Sequence, residues 1–130
     1  MKYMLDTDIV SLAVRGNSSV IKNLEAHEED EIFVSAITYA ELMYGLEKKG
    51  SAKLADEVNI VLGKLYVEDF DIDSAEYYGK IRMALERPGA PLENMDMLIA
   101  ASAMAAGAVL VSHNKKHFSK IKGLKIEDWS

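Results

Sequence analysis

Cysteine is absent from the 130 residues. Neither a disulfide framework nor a thiolate metal site can therefore form, and the fold must rest on packing alone, as suits a protein of the reducing cytoplasm. No stretch approaches the roughly 18 consecutive apolar residues of a membrane span, and no basic flank leads into an apolar run at the amino terminus, so neither a membrane protein nor a secretory leader is expected. An excess of positive charge is also missing. The net charge of −6 excludes broad electrostatic affinity for nucleic acid, so any contact with RNA has to be local. Internal repeats, low-complexity tracts and linkers are lacking too, and 49% hydrophobic residues are enough for one core, so residues 1–130 read as a single domain.

What is present is an alternation of short apolar runs with helical stretches. Lys2 to Leu5 reads as a buried strand ending at Asp6. A helical start at Asp8 to Leu12 stops at Gly16-Asn17, and Ser18 and Ser19 can cap a second helix with Val20, Ile21 and Leu24 as its stripe. Glu31 to Ser35 is the next strand. Helices are expected over 38–48 and 51–65, a strand over Tyr66 to Phe70, and a fifth helix over 73–87, broken by Pro88-Gly89-Ala90-Pro91. An Ala- and Met-rich helix over 95–106 closes at Gly107, Val109 to Ser112 is a buried strand, and Leu124 to Glu127 adds a short edge strand. Strands alternating with helices imply an α/β sandwich on a mainly parallel sheet, in which ligands bind beyond the carboxyl ends of the strands.

Four candidate residues belong at such an edge: Asp6 after the first strand, Glu41 in the first turn of the helix after the second, Asp96 in the first turn of the late helix, and Asn114 after the fourth strand. Gathered carboxylates repel one another unless a cation compensates, and Mg²⁺ or Mn²⁺ prefers such oxygen donors while keeping waters for phosphate substrates. Structural roles compete. Thr38-Tyr39-Ala40-Glu41 has the spacing of a capping box, and Asp96 can serve only the helix dipole, with Asn94 as cap. Asp6, directly after an apolar run, is expected to be desolvated and hence paired or metal-bound. His113 and His117 have the spacing of a helical zinc pair, but without an HExxH glutamate or a cysteine they read as surface or RNA-facing imidazoles. Met97 and Met104 read as core, and Trp129 as docking the tail. Lys115, Lys116, Lys120, Lys122 and Lys125 form a basic strip without an intervening acid, either solvated surface or a phosphate-contacting patch.

Met4-Leu5-Asp6-Thr7, Ile37-Thr38-Tyr39-Ala40-Glu41-Leu42 with Gly45, Pro91 to Asp96 followed by Leu98-Ile99-Ala100-Ala101, and Val109 to Asn114 with Phe118 together resemble the four motifs of VapC-type toxins. These are PIN-domain ribonucleases of toxin–antitoxin pairs. Gly123-Leu124 and Glu127-Asp128-Trp129 are similar to the family's ending, so the likeness spans nearly the whole chain. It implies a PIN-like three-layer sandwich, an endoribonuclease using Mg²⁺ or Mn²⁺ at Asp6, Asp96 and Glu41, and Asn114 where many relatives carry a fourth acid, with Ser112 orienting the site. It also implies structured RNA, transfer RNA foremost, as substrate, cleaved by in-line attack of a metal-activated water to leave a 5′-phosphate. A cognate antitoxin is the implied partner, able to place an Arg or Lys in the acidic site. The basic strip then assigns RNA contact to Lys115, Lys116 and Lys120. Apolar residues around Tyr39, Met43, Tyr44, Tyr77, Tyr78 and Met83 exceed one core's needs and point to a homodimer.

Two features depart from the family pattern: Asp8 stands where Asn is usual, and Glu93 adds an acid before Asp96. Asp6-Thr7-Asp8 also resembles the nucleophile and acid pair of haloacid dehalogenase-type phosphatases, in which Asp6 would become a phosphoaspartate. That chemistry wants a placed lysine and an acidic pair after a later strand, where this chain has His113-Asn114-Lys115. A non-catalytic RNA- or partner-binding module is the third reading.

Overall fold

The computed structural model describes residues 1–89 and 92–130. Ala90 and Pro91, which fall in the expected helix break and at the start of the third motif, lie outside the described residues. The elements run β1 (Lys2–Leu5), α1 (Thr7–Val14), α2 (Ser18–Ala26), β2 (Glu31–Ser35), α3 (Ala36–Lys49), α4 (Ala52–Leu62), β3 (Tyr66–Glu68), α5 (Ile72–Glu86), α6 (Asn94–Ala106), β4 (Val109–Val111), α7 (Lys115–Phe118) and β5 (Ile126–Glu127). The strands form one sheet in the order β3-β2-β1-β4-β5, and each pairing is parallel.

β1 is central and its apolar residues are buried to both sides, which is why it reads as an unbroken apolar run. Successive side chains still alternate. Tyr3 and Leu5 join Ile32, Val34, Val109 and Val111 in a cluster covered by Ile9, Val10, Val20, Val58 and Leu62 from α1, α2 and α4. Met4 and Leu110 face the other way, into a cluster with Ile81 and Leu85 of α5 and Met97, Ile99 and Ala100 of α6. Two helical layers therefore sandwich the sheet, each fully buried aliphatic side chain contributing about 1.5–3 kcal/mol. The alanines of α6 let it lie close under the sheet, and Gly107 ends it at φ 66°, a left-handed conformation that glycine adopts without cost.

Several helix starts differ from expectation. Asn17, not Ser18 or Ser19, caps α2, accepting from the Val20 N–H, while the Ser19 hydroxyl donates to the Trp129 carbonyl. α3 begins at Ala36 with Ser35 as its cap, two residues earlier than expected. Asn94 is the first residue of α6 rather than its cap, and Glu93 at the cap position makes no side-chain bond. α7 was not anticipated, and Ser112 and residues 124–125 fall outside the strands. Trp129 does dock the tail: it is buried, stacked on His27 at 4.5 Å and tilted against Tyr3 at 5.1 Å. Of the residues expected to be surplus to the core, Met43, Tyr77 and Tyr78 pack against it, whereas Tyr39, Tyr44 and Met83 are exposed, along with Tyr66, Val67 and Ile72.

Candidate active site

From β1 the chain moves outward to β2 and β3, then returns to the other side of β1 to form β4 and β5. The order reverses between β1 and β4, and the crevice beyond the carboxyl ends of such strands is where open parallel sheets bind ligands. Asp6 and Ser112 leave the sheet there side by side. The Asp6 N–H donates to the Val111 carbonyl at 3.0 Å, and the Ser112 N–H to the Glu127 carbonyl at 2.9 Å.

Asp6 is 5% exposed and caps α1, its Oδ1 accepting the Ile9 N–H at 2.9 Å. Burial pushes its carboxyl up to about 6. The Ser112 hydroxyl and the Ile9 N–H oppose that shift by favouring the charged form, while the charges of Asp8 and Asp96 add to it. Asp96, in the first turn of α6, is half-buried and also raised. Desolvation is the main cause, His117 lowers it through a hydrogen bond and charge, and Glu93 and Asp8 raise it. Asp6, Asp8 and Asp96 thus share one field, with Glu93 at its margin. Asp8 itself is exposed.

Glu41 lies in the second turn of α3, not the first, so the capping-box reading fails: Ser35 Oγ takes the Ile37 N–H at 3.0 Å. The Glu41 carboxylate instead accepts the Thr7 hydroxyl at 2.5 Å, and Thr38 Oγ1 lies 3.2 Å from that same hydroxyl. Thr7 follows Asp6 directly and ties Glu41 to the rim of the crevice. Ser112 is fully buried and accepts the Asn114 N–H at 3.0 Å, whereas the Asn114 side chain is exposed and makes no capping bond to α7. Lys115 and Lys116 open α7 and Lys120 follows it, all exposed.

The two histidines do not form a pair. His113 meets Ser130 and Asp128, whereas His117 Nε2 sits 3.2 Å from Asp96 Oδ2. That last contact was missed in the sequence, because 21 positions separate its partners and α7 is too short to show a periodicity.

Among the described residues, the ion pairs include neither Asp6 nor Asp8 nor Glu41. No three His, Asp or Glu side chains among them converge tightly enough to hold a metal by themselves. The donors nevertheless suit a hard cation, which Mg²⁺ commonly meets with one or two carboxylates and several waters. Asp6 among them is a buried carboxylate with two acidic neighbours, Asp8 and Asp96, whose charges raise it. A groove of about 690 Å³ opens at the opposite end of the sheet, with Ile21, Leu24, Val61 and Leu65 in its walls and Glu25 and Glu28 at its edge. No helix among the described residues is long and apolar enough to cross a membrane.

The PIN domain family model matches residues 3–124. Ribonuclease VapC2 of Rickettsia felis is 39% identical, covering 99% of this chain and 98% of the relative. The tRNA(fMet)-specific endonuclease VapC of Salmonella typhimurium is 34% identical, with the same coverage. Among solved structures, VapBC2 of R. felis bound to a promoter DNA fragment superimposes with a TM-score of 0.95 at 38% identity over the full length of both chains. VapBC of S. typhimurium bound to DNA gives 0.89 at 32%, covering 100% of this chain and 99% of that one. Whole-length identity of this kind leaves the phosphatase resemblance of Asp6-Thr7-Asp8 without support. The chain belongs to the PIN-domain family, among its VapC-type toxin ribonucleases.

Proposed function

We propose that the chain is an endoribonuclease that hydrolyses structured RNA with a divalent cation, Mg²⁺ or Mn²⁺, and acts as the toxin of a toxin–antitoxin pair. The observation that carries this reading is Asp6: a buried carboxylate at the switch point, facing Asp8 and Asp96, with no cation paired to it among the described residues. Asp6 and Asp96 would hold the ion. Bound there, it supplies positive charge to the phosphoryl oxygens in the transition state and acidifies the attacking water. Glu41, oriented by the Thr7 hydroxyl, would accept hydrogen bonds from water on that side, and Ser112 would keep Asp6 ionised and in place. Transfer RNA is the leading substrate class, since a relative 34% identical over nearly its whole length carries that specificity in its name. Purified protein should cut transfer RNA in Mg²⁺ or Mn²⁺, leave 5′-phosphate ends, and stop in EDTA. Cleavage indifferent to EDTA, or none with either metal, would overturn the reading.

Lys115, Lys116 and Lys120 follow the strand that delivers Ser112, and we assign them to the RNA backbone. Replacing all three with Gln should raise KM and flatten the salt dependence of cleavage, by about 0.7–0.9 in log–log slope for each lost phosphate contact. An unchanged slope would make them solvated surface only.

The partner is an antitoxin, as in the VapBC assemblies this chain resembles. An apolar groove edged by Glu25 and Glu28 suits a basic amphipathic helix, and the acidic crevice suits an Arg or Lys in place of the metal. Exposed Tyr44, Tyr66, Ile72 and Met83 supply apolar surface for a second copy of the chain. Light scattering on the isolated protein at micromolar concentration should give a dimer mass.

A further inference from the structure

The segment leaving β4 touches both carboxylates of the crevice. Ser112 lies beside Asp6 and accepts the Asn114 N–H. The Asn114 carbonyl then accepts the N–H groups of His117 and Phe118 at 3.0 and 3.1 Å, closing the single turn of α7. Phe118 is 1% exposed and sits in the core with Leu110 and Met97. That anchor leaves its neighbour little freedom. The His117 ring stands edge-on to Phe118 at 5.6 Å, and its Nε2 reaches Asp96 Oδ2 at 3.2 Å. Asp96 Oδ1 has no hydrogen-bond partner among the described residues.

We propose that His117 is a positioning residue for Asp96: its Nε2–H holds Oδ2, so the carboxylate presents Oδ1 to a divalent ion shared with Asp6. The inference rests on the metal-dependent reading above. Groups that hydrogen-bond a ligating carboxylate fix its orientation, and their loss typically costs about 10- to 100-fold in metal affinity. Asp96 needs such a partner more than Asp6 does. Asp6 is buried and tied to the Ile9 N–H, whereas the Asp96 side chain is about one-third exposed and, among the described residues, His117 is its one ion-pair contact. In the neutral ring, the bond requires the proton on Nε2, with Nδ1 left as the acceptor.

The test is Mn²⁺ affinity, read from the electron paramagnetic resonance of free Mn²⁺ over the isolated full-length protein. It compares wild type, His117→Ala, His117→Gln and Asp6→Asn, each with a melting curve in EDTA. His117→Ala should weaken binding about 10- to 100-fold, with a metal-free melting temperature close to wild type. His117→Gln, whose amide N–H can reach the same oxygen, should recover most of the affinity. Wild-type affinity in His117→Ala while Asp6→Asn has lost it would overturn this inference and leave the metal site standing. A His117→Gln as weak as the alanine variant, or a metal-free melt of His117→Ala that falls in parallel, would make the residue a packing pin for α7 and overturn it too. Absence of Mn²⁺ binding by the wild type would remove the metal site and this inference together.

Discussion

Asp6→Asn and, separately, Asp96→Asn should lower RNA cleavage by about three orders of magnitude or more. That is the scale expected when several kcal/mol of transition-state charge stabilisation are lost. The same changes should not unfold the metal-free protein. For Asp6 the reason can be worked through with its sign. Its carboxyl is raised from 3.8 to about 6 in the folded state, so between these values the folded protein holds a proton that the unfolded chain has released. Stability from the protonated form is complete below about pH 4 and is lost as the pH rises through 6. Above that, ionised Asp6 costs the metal-free fold on the order of 3 kcal/mol. Asparagine removes the ionisation yet still accepts the Ile9 N–H, being as good a cap as aspartate. Urea unfolding in EDTA should therefore find Asp6→Asn more stable than wild type at pH 7.5, with the difference shrinking towards zero near pH 4. Asp96, also raised but about one-third exposed, should show the same sign with a smaller amplitude. Added Mg²⁺ or Mn²⁺ should reverse the order by binding the folded wild type preferentially. If either variant cleaves RNA like wild type, the carboxylate site is wrong, and the same holds if Asp6→Asn fails to fold in EDTA.

Glu41→Gln should reduce cleavage about a hundredfold or more, in the range seen when one preorganised polar group is removed from a hydrolytic site, while leaving stability within about 0.5 kcal/mol of wild type. A capping role predicted the reverse pattern, but Ser35 caps α3 and, among the described residues, the Glu41 side chain is hydrogen-bonded only by the Thr7 hydroxyl. Ser35→Ala is the matching control. It removes the true cap, together with a buried hydroxyl 3.2 Å from Ser102 Oγ, and should cost about 1–2 kcal/mol with metal affinity retained. Equal loss of stability in Glu41→Gln and Ser35→Ala would return Glu41 to a structural role.

The two differences in capping residue, Asn17 in place of Ser18 or Ser19 and Ser35 in place of Thr38, share one cause. Asn17, Ser18 and Ser19 can each cap a helix, as can Ser35 and Thr38, and local chemistry does not choose among them. At α3 the choice follows from how far β2 runs, and Ser35 is still in register with Glu68 of β3. Strand pairing thus set a helix boundary that propensity could not, and with it moved Glu41 out of the first turn. By contrast, Val109 to Val111, the Gly107 stop and the docking of Trp129 were legible because apolar runs, left-handed glycine and a large aromatic at a chain end each carry their meaning locally.

What the sequence determined by itself is the elements other than α7 and their contents: which runs are strands, that Asp6 ends one of them, that Asp96 lies in the first turn of a helix, and, through motif likeness, the family. The order β3-β2-β1-β4-β5 was decided only in the tertiary structure, because sheet order depends on packing between residues far apart in the chain. That order sets β4 beside β1, brings Ser112 to Asp6 and His117 to Asp96, and converts separate acids into one field. Desolvation and mutual repulsion then raise the carboxyls, since both depend on three-dimensional proximity and neither is a property of any residue alone.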